Sequence, residues 1–323
     1  MTVGSLMESV RKARRGIAVS GPGRPQRPPQ RRPRRQLSTR GMTFVVFAGP
    51  SILLLLLLNL YPLLYAGQQS LRNGDLVDGG SFVGLQNYTT ILTSPSFWHA
   101  AEFTVVFTLV GVFGSWAVGL GLALLLRPGV PAGGALKVLL LLPWVVPIVV
   151  SSTSWNWLVA TPQSPLPALA RHLGFGDVLF LADPALAQVT VCVFKVWVSF
   201  PFMMMMMASA LTSVDANVYE ASRVDGASGW QTFRLVTLPM IARPTYISWI
   251  LMTIFCVNDF PTIFLLTGGG PVNSTQTLVV LAYTTVFQNF QTGPGVAIAF
   301  LMTIVLVAVS VTLYRQIRKA RIE

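Results

Sequence analysis

Two charged side chains, Lys195 and Asp259, stand inside long apolar runs of a 323-residue chain. A charge near the middle of a bilayer costs about 2.5–3.5 kcal/mol even on lenient scales, so such residues mark either a solute path or a structural pair. Lys195 and Asp259 can therefore hold two helices together, or line a cavity with Trp197 and Ser199, which follow Lys195, and with Cys256 and Asn258 beside Asp259. Trp155, Asn156 and Trp157 bring aromatic faces and an amide, groups suited to stacking and directional bonds with a solute, although tryptophan near the end of a span also serves as an interfacial anchor. Nothing in this set is catalytic. The chain has no nucleophile–base pair, no HExxH and no acidic metal cluster in or near the apolar runs, and no G-x-x-x-x-G-K-[ST] loop for a nucleotide. Cys192 and Cys256 fall within apolar runs and His99 and His172 outside them, which gives neither a disulfide framework nor a metal set. The run Met203–Met207 points around a whole helix; only Met203 and Met207 share a face, which suits adaptable packing rather than metal transport.

The elements that must position these groups are membrane spans. The chain is 53% hydrophobic and 11% charged, with a mean hydropathy of +0.62, whereas soluble domains are about a quarter charged. Six runs are long enough to cross a hydrocarbon core of about 30 Å as helices: 43–66, 103–126, 137–160, 185–211, 244–267 and 295–314. Alternating strand patterns are absent and backbone groups in lipid must be satisfied within their own segment, so the expected fold is an all-α polytopic membrane protein with six transmembrane helices. Twenty of the twenty-three Lys and Arg lie in the N-terminal tail, the loops after spans 2 and 4, and the C-terminus, whereas Arg72 and Arg171 lie in the opposite loops. By the positive-inside rule both termini and the loop after span 4 are cytoplasmic. The net charge of +12 mostly reflects this topology and the Arg/Pro-rich tail, 1–41, which cannot build a core and is expected to be disordered. Attraction to anionic membrane lipid accounts for it better than nucleic-acid binding, since the tail has no aromatic residues. The tail and first apolar run read as an uncleaved first span.

Arg127-Pro128-Gly129-Val130-Pro131 reads as a tight reversal between spans 2 and 3. The segment 161–184 has four prolines and is expected to be irregular, with a short helix near 168–173; 268–294 opens on Gly268-Gly269-Gly270-Pro271 and should carry a surface or re-entrant helix over 277–287. The loop 212–240 is organised differently. Ser213 or Asp215 can cap a helix over 216–224, and Gly226 can take the left-handed conformation that ends it. Ser228 and Gln231 have capping-box spacing for a second helix that stops near Leu238-Pro239. Val214, Val218, Ala221 and Ser222 should share one face of the first helix, with Tyr219 and Glu220 projecting differently. Such a unit presents a compact ridge to water.

The run Tyr219-Glu220-Ala221-Ser222, then Asp225-Gly226-Ala227, Val236 and Leu238-Pro239, resembles the EAA loop of permease subunits in binding-protein-dependent ABC importers, from which only Ser222 and Val236 depart. The segment from Asn258-Asp259-Phe260 through Leu266-Thr267-Gly268-Gly269-Gly270-Pro271, with Tyr61-Pro62 and Phe82-x-Gly84-Leu85-x-Asn87-Tyr88, is similar to one permease subunit of the carbohydrate branch, the maltose and glycerol-phosphate type. The resemblance covers most of 42–315 and implies the type I ABC importer permease fold over that span, a basic tail before it and a short cytoplasmic tail over 316–323. It further implies a bacterial cell-membrane protein that performs no covalent chemistry and binds no cofactor, ATP and Mg residing on a separate cytoplasmic ATPase dimer. The loop would dock in a cleft of that ATPase, with Glu220 as a charged contact and Gly226 as the turn. A second, homologous permease would complete a heterodimer, and an extracytoplasmic binding protein would deliver the sugar to loops 67–99 and 268–294, including Gly268–Pro271. Spans 3 to 5 would hold the substrate path. A permease for glycerol phosphate or a glycerophosphodiester is one alternative, disfavoured by the single intramembrane cation; an ion-coupled secondary carrier is another, with Asp259 alone to bind the ion.

Overall fold

The computed structural model describes the backbone of residues 37–75, 77–126 and 133–319, with side chains from 46 to 315. The basic tail before 37, the predicted reversal at 127–131 and the last residues, 320–323, lie outside the described residues. The described residues fall in two units that part between Tyr61 and Pro62. In the first, the leucine-rich stretch of helix α1 (Leu37–Ser70) exposes Leu53 to Leu58, as expected of a surface solvated by lipid rather than water.

The second unit is helical throughout: α2 (Gln86–Thr93), α3 (Pro95–Leu125), α4 (Gly133–Val145), α5 (Ile148–Val159), α6 (Pro165–His172), α7 (Pro184–Thr212), α8 (Ala216–Val224), α9 (Gly229–Met240), α10 (Ala242–Val257), α11 (Phe260–Leu266), α12 (Leu278–Gln288) and α13 (Thr292–Lys319). Among the described residues four helices, α1, α3, α7 and α13, are long and apolar enough to cross a membrane unbroken, and up to six spans result when two bent pairs are each counted once.

The expected third and fifth spans are thus not straight. Span 3 breaks by 90° between α4 and α5, where Pro147 has no N–H for the ladder and its ring disfavours a helical residue before it. Span 5 stops at Val257, and sixteen residues at about 1.5 Å each reach only about 24 Å, short of the hydrocarbon thickness. Its continuation, α11, restarts after Asn258, with the Asp259 side chain as cap and Pro261 in the first turn, a strong local start signal inside an apolar run. The second bent pair, α9 and α10, turns by 67° at fully buried Ile241.

Helix α7 is the axis of the unit. Its Val191, Phe194 and Met203 pack with Phe103 and Phe107 of α3, Met252 and Cys256 of α10, and Ile263 of α11. Further along, Met204 and Met207 pack with Leu120 and Ala123 of α3 and with Ile241. Met203 and Met207 are both fully buried, which is the packing role expected of that run. Close approach of α3 and α7 needs a residue without a side chain. A Cβ on Gly119 would sit 2.6 Å from the Met204 nitrogen and 2.8 Å from the Met203 carbonyl carbon, backbone atoms that cannot move aside, whereas a Cβ on Gly121 meets nothing within 4 Å. Gly119→Ala should therefore destabilise the fold by about 1–3 kcal/mol and lower its thermal midpoint in detergent, and Gly121→Ala should not; equal midpoints would refute this account of the contact.

At one end of the unit, Asn87 Nδ2 donates to the carbonyls of Ser70 and Arg72, each at 2.8 Å, and so fastens the turn after α1 to α2. In that turn the Asp75 carboxylate accepts from the backbone N–H groups of Asp78 and Val77, which hold it below the usual carboxylate range. The expected short helix at 168–173 is α6, beginning three residues earlier. The helix expected over 277–287, on the surface or re-entrant, is α12; its first N–H, on Leu278, donates to Thr104 Oγ1 of α3 at 2.9 Å, and Leu278 packs with Ala297, Ile298 and Met302 of α13.

Candidate functional site

Lys195 lies in the middle of α7 and its Nζ is 2.6 Å from Asp259 Oδ2, with the two side chains 7% and 10% exposed. Asp259 is held from a second direction by Thr262, whose hydroxyl donates to Oδ2 at 2.8 Å and whose N–H donates to Oδ1 at 3.1 Å. The Lys195 ammonium also lies 5.8 Å from the centre of the Phe107 ring. Gly111, in a π turn of α3, makes room for the pair: a Cβ there would meet Cys256 Sγ at 2.7 Å and Lys195 Cγ at 3.2 Å. Of the two roles open from the sequence, this geometry is that of a helix clamp, joining α7 to the break between α10 and α11. Both charges are compensated where they stand, and Cys256 is sealed beside them at 1% exposure.

The other path candidates separate. Trp155 and Trp197 come together, ring centres 5.5 Å apart, and both pack on fully buried Phe194, at 5.3 and 5.9 Å. Ser199 is buried with no hydrogen-bond partner for its hydroxyl. Trp157 is instead largely exposed, and Asn156 donates to the Leu266 carbonyl at 3.3 Å, tying α5 to the end of α11. Asn258 is exposed at the helix break, and its Nδ2 donates to the Ile254 carbonyl at 2.9 Å.

The Gly268–Pro271 turn follows α11. Gly268 and Gly269 have φ of 63° and 94°, conformations that favour glycine. Thr275 closes the turn by donating through its N–H to the Gly269 carbonyl and through its hydroxyl to the Gly270 carbonyl. Gln188 of α7 donates to the Ser274 carbonyl at 2.7 Å. Beside this bond lies a recess of about 610 Å³ lined by Ser96, His99, Glu102, Gln188, Asn273 and Gln276, which joins the α3 start to the 268–276 turn.

At the other end of α7, the 212–240 loop has the local structure its residues prescribe. Asp215, not Ser213, caps α8 through the Asn217 N–H at 2.9 Å. The helix ends at Gly226, φ 75°, with the Ala227 N–H bonded to the Ser222 carbonyl and the Gly226 N–H to that of Arg223. The Ser228–Gln231 capping box starts α9, with both reciprocal bonds present. The faces differ from expectation in one respect: Ser222 is buried against Thr232, Tyr219 is half-buried, and Ala221 faces outward with Glu220. Behind α8 is an open recess of about 780 Å³ lined by Tyr219, Glu220, Arg223, Trp230, Phe233 and Leu124.

Trp230 was not singled out from the sequence. It is 68% exposed and packs on Phe233 with centroids 5.5 Å apart; Val224 and Leu235 of the same loop are exposed as well. The signal was present as an aromatic residue two positions after the capping residue Ser228, in a loop outside the apolar runs. Exposed apolar side chains grouped in one loop are the kind of surface that protein partners commonly cover.

The profile of the family described as "Binding-protein-dependent transport system inner membrane component" matches residues 85–322. The chain is 35% identical over 283 residues to the "Probable ABC transporter permease protein y4oQ" of Sinorhizobium fredii, covering 87% of this chain and 91% of that one. It is 32% identical over 241 residues to the "Trehalose/maltose transport system permease protein MalF" of Thermococcus litoralis, 74% of this chain and 81% of that one. A solved bacterial ABC transporter involved in import of the acidic polysaccharide alginate has a chain that superposes with a TM-score of 0.76 at 18% identity, over 88% of this chain and 99% of that one.

Proposed function

The chain belongs to the family of inner-membrane components of binding-protein-dependent transport systems, and from that premise we propose that it is the permease subunit of an ATP-driven importer that forms the path for a sugar. It is a transport subunit and not an enzyme. The observation that supports the coupling half of the reading is the 212–240 loop, a capped and glycine-terminated pair of helices with Glu220, Val224 and Trp230 exposed; these would form a docking ridge for a separate ATPase dimer. ATP and Mg belong to that partner. Closure of the ATPase around ATP would then move α8 and α9 as a rigid body and, through the bend at Ile241, α10. The excess of Lys and Arg supports a cytoplasmic position for this loop and both termini. The recess between the α3 start and the 268–276 turn then faces outward, where a binding protein would dock with Gly268–Pro271, and a homologous second permease would complete the cavity.

Sugar as the solute is supported by the relative named for trehalose and maltose and by the Lys195–Asp259 pair. A phosphate-bearing solute needs a free cation, whereas Lys195 is neutralised by Asp259. The reading is tested by reconstituting the importer with its binding protein and measuring ATP hydrolysis against sugars and glycerol phosphate. Stimulation by sugars alone is expected; stimulation by glycerol phosphate alone would replace the substrate class. In the same preparation Trp230→Ala should weaken association with the ATPase by about 2 kcal/mol, the scale of a tryptophan hot spot. Wild-type affinity would remove Trp230 from the docking surface.

A further inference from the structure

Helix α6 turns an apolar face outward. Leu166, Leu169 and Leu173 fall within an arc of about 60° of an α-helix and are 38%, 51% and 66% exposed. Pro167, on another side, is buried against the protein. The chain leaving the helix extends the apolar face. Gly174, at φ 88°, ends α6 in a Schellman turn: its N–H donates to the Arg171 carbonyl and the Phe175 N–H to that of Ala170, each at 3.0 Å. That turn folds the residue after the glycine back toward the last turn of helix, and Phe175 is 74% exposed. The polar groups are kept apart from this face. Arg171 and His172 lie on other sides of the helix, and the Arg171 guanidinium donates to Asp177 Oδ1 at 2.8 Å and to the Pro162 carbonyl at 3.1 Å.

What covers the apolar face follows from where α6 stands. A closed turn joins it to α5: the Ser164 N–H donates to the Thr161 carbonyl at 2.9 Å, and the Thr161 N–H to Ser164 Oγ at 3.1 Å. Helix α6 therefore stays beside the end of α5, the end of span 3 that the charge distribution puts outside. An exposed stripe of α5 runs through Val149, Thr153 and Trp157 to that end. Thr153 returns its hydroxyl to the Val149 carbonyl at 2.8 Å, which leaves it no need of water. Trp157, 68% exposed in the last turn, suits the headgroup level. The apolar face of α6 continues this surface. A binding protein that docks and departs would leave three leucines and a phenylalanine in water between encounters, and a two-turn helix offers far less than the about 800 Å² that each partner gives to a standard protein interface.

We propose that α6 and Phe175 form an interfacial anchor that lies in the plane of the outer leaflet, with Leu166, Leu169, Leu173 and Phe175 among the first acyl carbons and Arg171, His172 and Asp177 among the headgroups. Its partner is the phospholipid surface. Span 3 has a use for such a tether. The break at Pro147 leaves α5 with twelve residues, about 18 Å of helix, too short to fix its own depth in the bilayer. Helix α6 holds the outer end of α5 at one level, and with it Trp155 and Asn156. The anchor is independent of which solute the importer carries.

The test purifies the chain with the subunits that accompany it, places it in phosphatidylcholine nanodiscs, and spin-labels Leu169→Cys, Leu173→Cys or, as the control on the polar side, His172→Cys. Cys192 and Cys256 are buried and should not react. Relaxation by molecular oxygen reads contact with lipid, and relaxation by a water-soluble nickel chelate reads contact with water. The oxygen-to-nickel ratio should be several-fold higher at 169 and 173 than at 172, with or without binding protein. Equal ratios at the three positions would overturn the anchor by placing the leucine face in water. Shielding of 169 and 173 from both reagents would overturn it in favour of contact with the second permease, and shielding that appears only with binding protein would make the face a docking surface. A second variant checks that the labels are not drawn into lipid on their own. Leu169→Asp combined with Leu173→Asp should release α6 and raise nickel relaxation of the label at 172; an unchanged signal there would contradict the anchor.

Discussion

Gly226→Pro is expected to abolish substrate-stimulated ATP hydrolysis and uptake while leaving the protein inserted in the membrane in normal amount. Gly226 adopts a φ of 75°, and its N–H donates to the Arg223 carbonyl at 3.1 Å. Proline is fixed near −65° and has no N–H, so the chain leaves α8 in a different direction and the Ala227–Ser222 bond that follows is lost. The Ser228–Gln231 capping box then no longer starts α9 against α8, and the docking ridge loses its shape. The expected fall is about a hundredfold, because a rigid-body transmission has no alternative route. Gly226→Ala is the matched control. A Cβ meets nothing within 4 Å there, so the change costs only the left-handed conformation, about 1–2 kcal/mol, and coupling should survive in part. Glu220→Ala should also reduce stimulation without altering insertion, since Glu220 is exposed and makes no packing contribution to the spans. Normal uptake in both Gly226→Pro and Glu220→Ala would remove the docking role of the loop.

Removing one member of the buried ion pair should have the largest effect on stability. Asp259→Ala leaves the Lys195 ammonium enclosed by Phe107, Gly111 and Cys256 without its counter-ion, and deletes the cap of α11. Breaking a buried pair from one side costs about 3–5 kcal/mol, and a lost cap adds about 1 kcal/mol. The variant should unfold in detergent well below the wild-type temperature. Combining it with Lys195→Met should recover most of the loss, because an apolar side chain of similar length suits that pocket. If Asp259→Ala alone were as stable as the wild type, the pair would be no clamp, and Lys195 would return to the list of solute contacts.

How much of this was legible in the sequence differs between elements for definite reasons. The 212–240 loop was read almost residue by residue, because Asp215, Gly226, Ser228 and Gln231 act on backbone groups within a turn of themselves. Local rules suffice there. The apolar spans were found by length and composition, but their breaks were not. Pro147 and Pro261 were visible in the sequence, yet proline is also tolerated inside membrane helices, so its presence alone does not say where a span bends. The role of Asp259 was left open for a related reason. Whether a membrane carboxylate pairs or waits for a ligand depends on a residue sixty-four positions away, and only the packing around Gly111 brings Lys195 to it. The outward turn of Ala221 and the exposure of Trp230 follow from how α8 rests on α9 at the Ser222–Thr232 contact, which no single-helix pattern contains.

The most direct test of the central claim is to purify the chain from its native membrane in mild detergent, crosslink from a cysteine introduced in the 213–239 loop, and identify the bound chains by mass spectrometry. Cys192 and Cys256 are buried and should stay silent. A transport subunit coupled through this loop predicts a stoichiometric ATPase crosslinked at the loop, together with a second permease. Recovery of the chain alone, with no crosslinked partner, would contradict it.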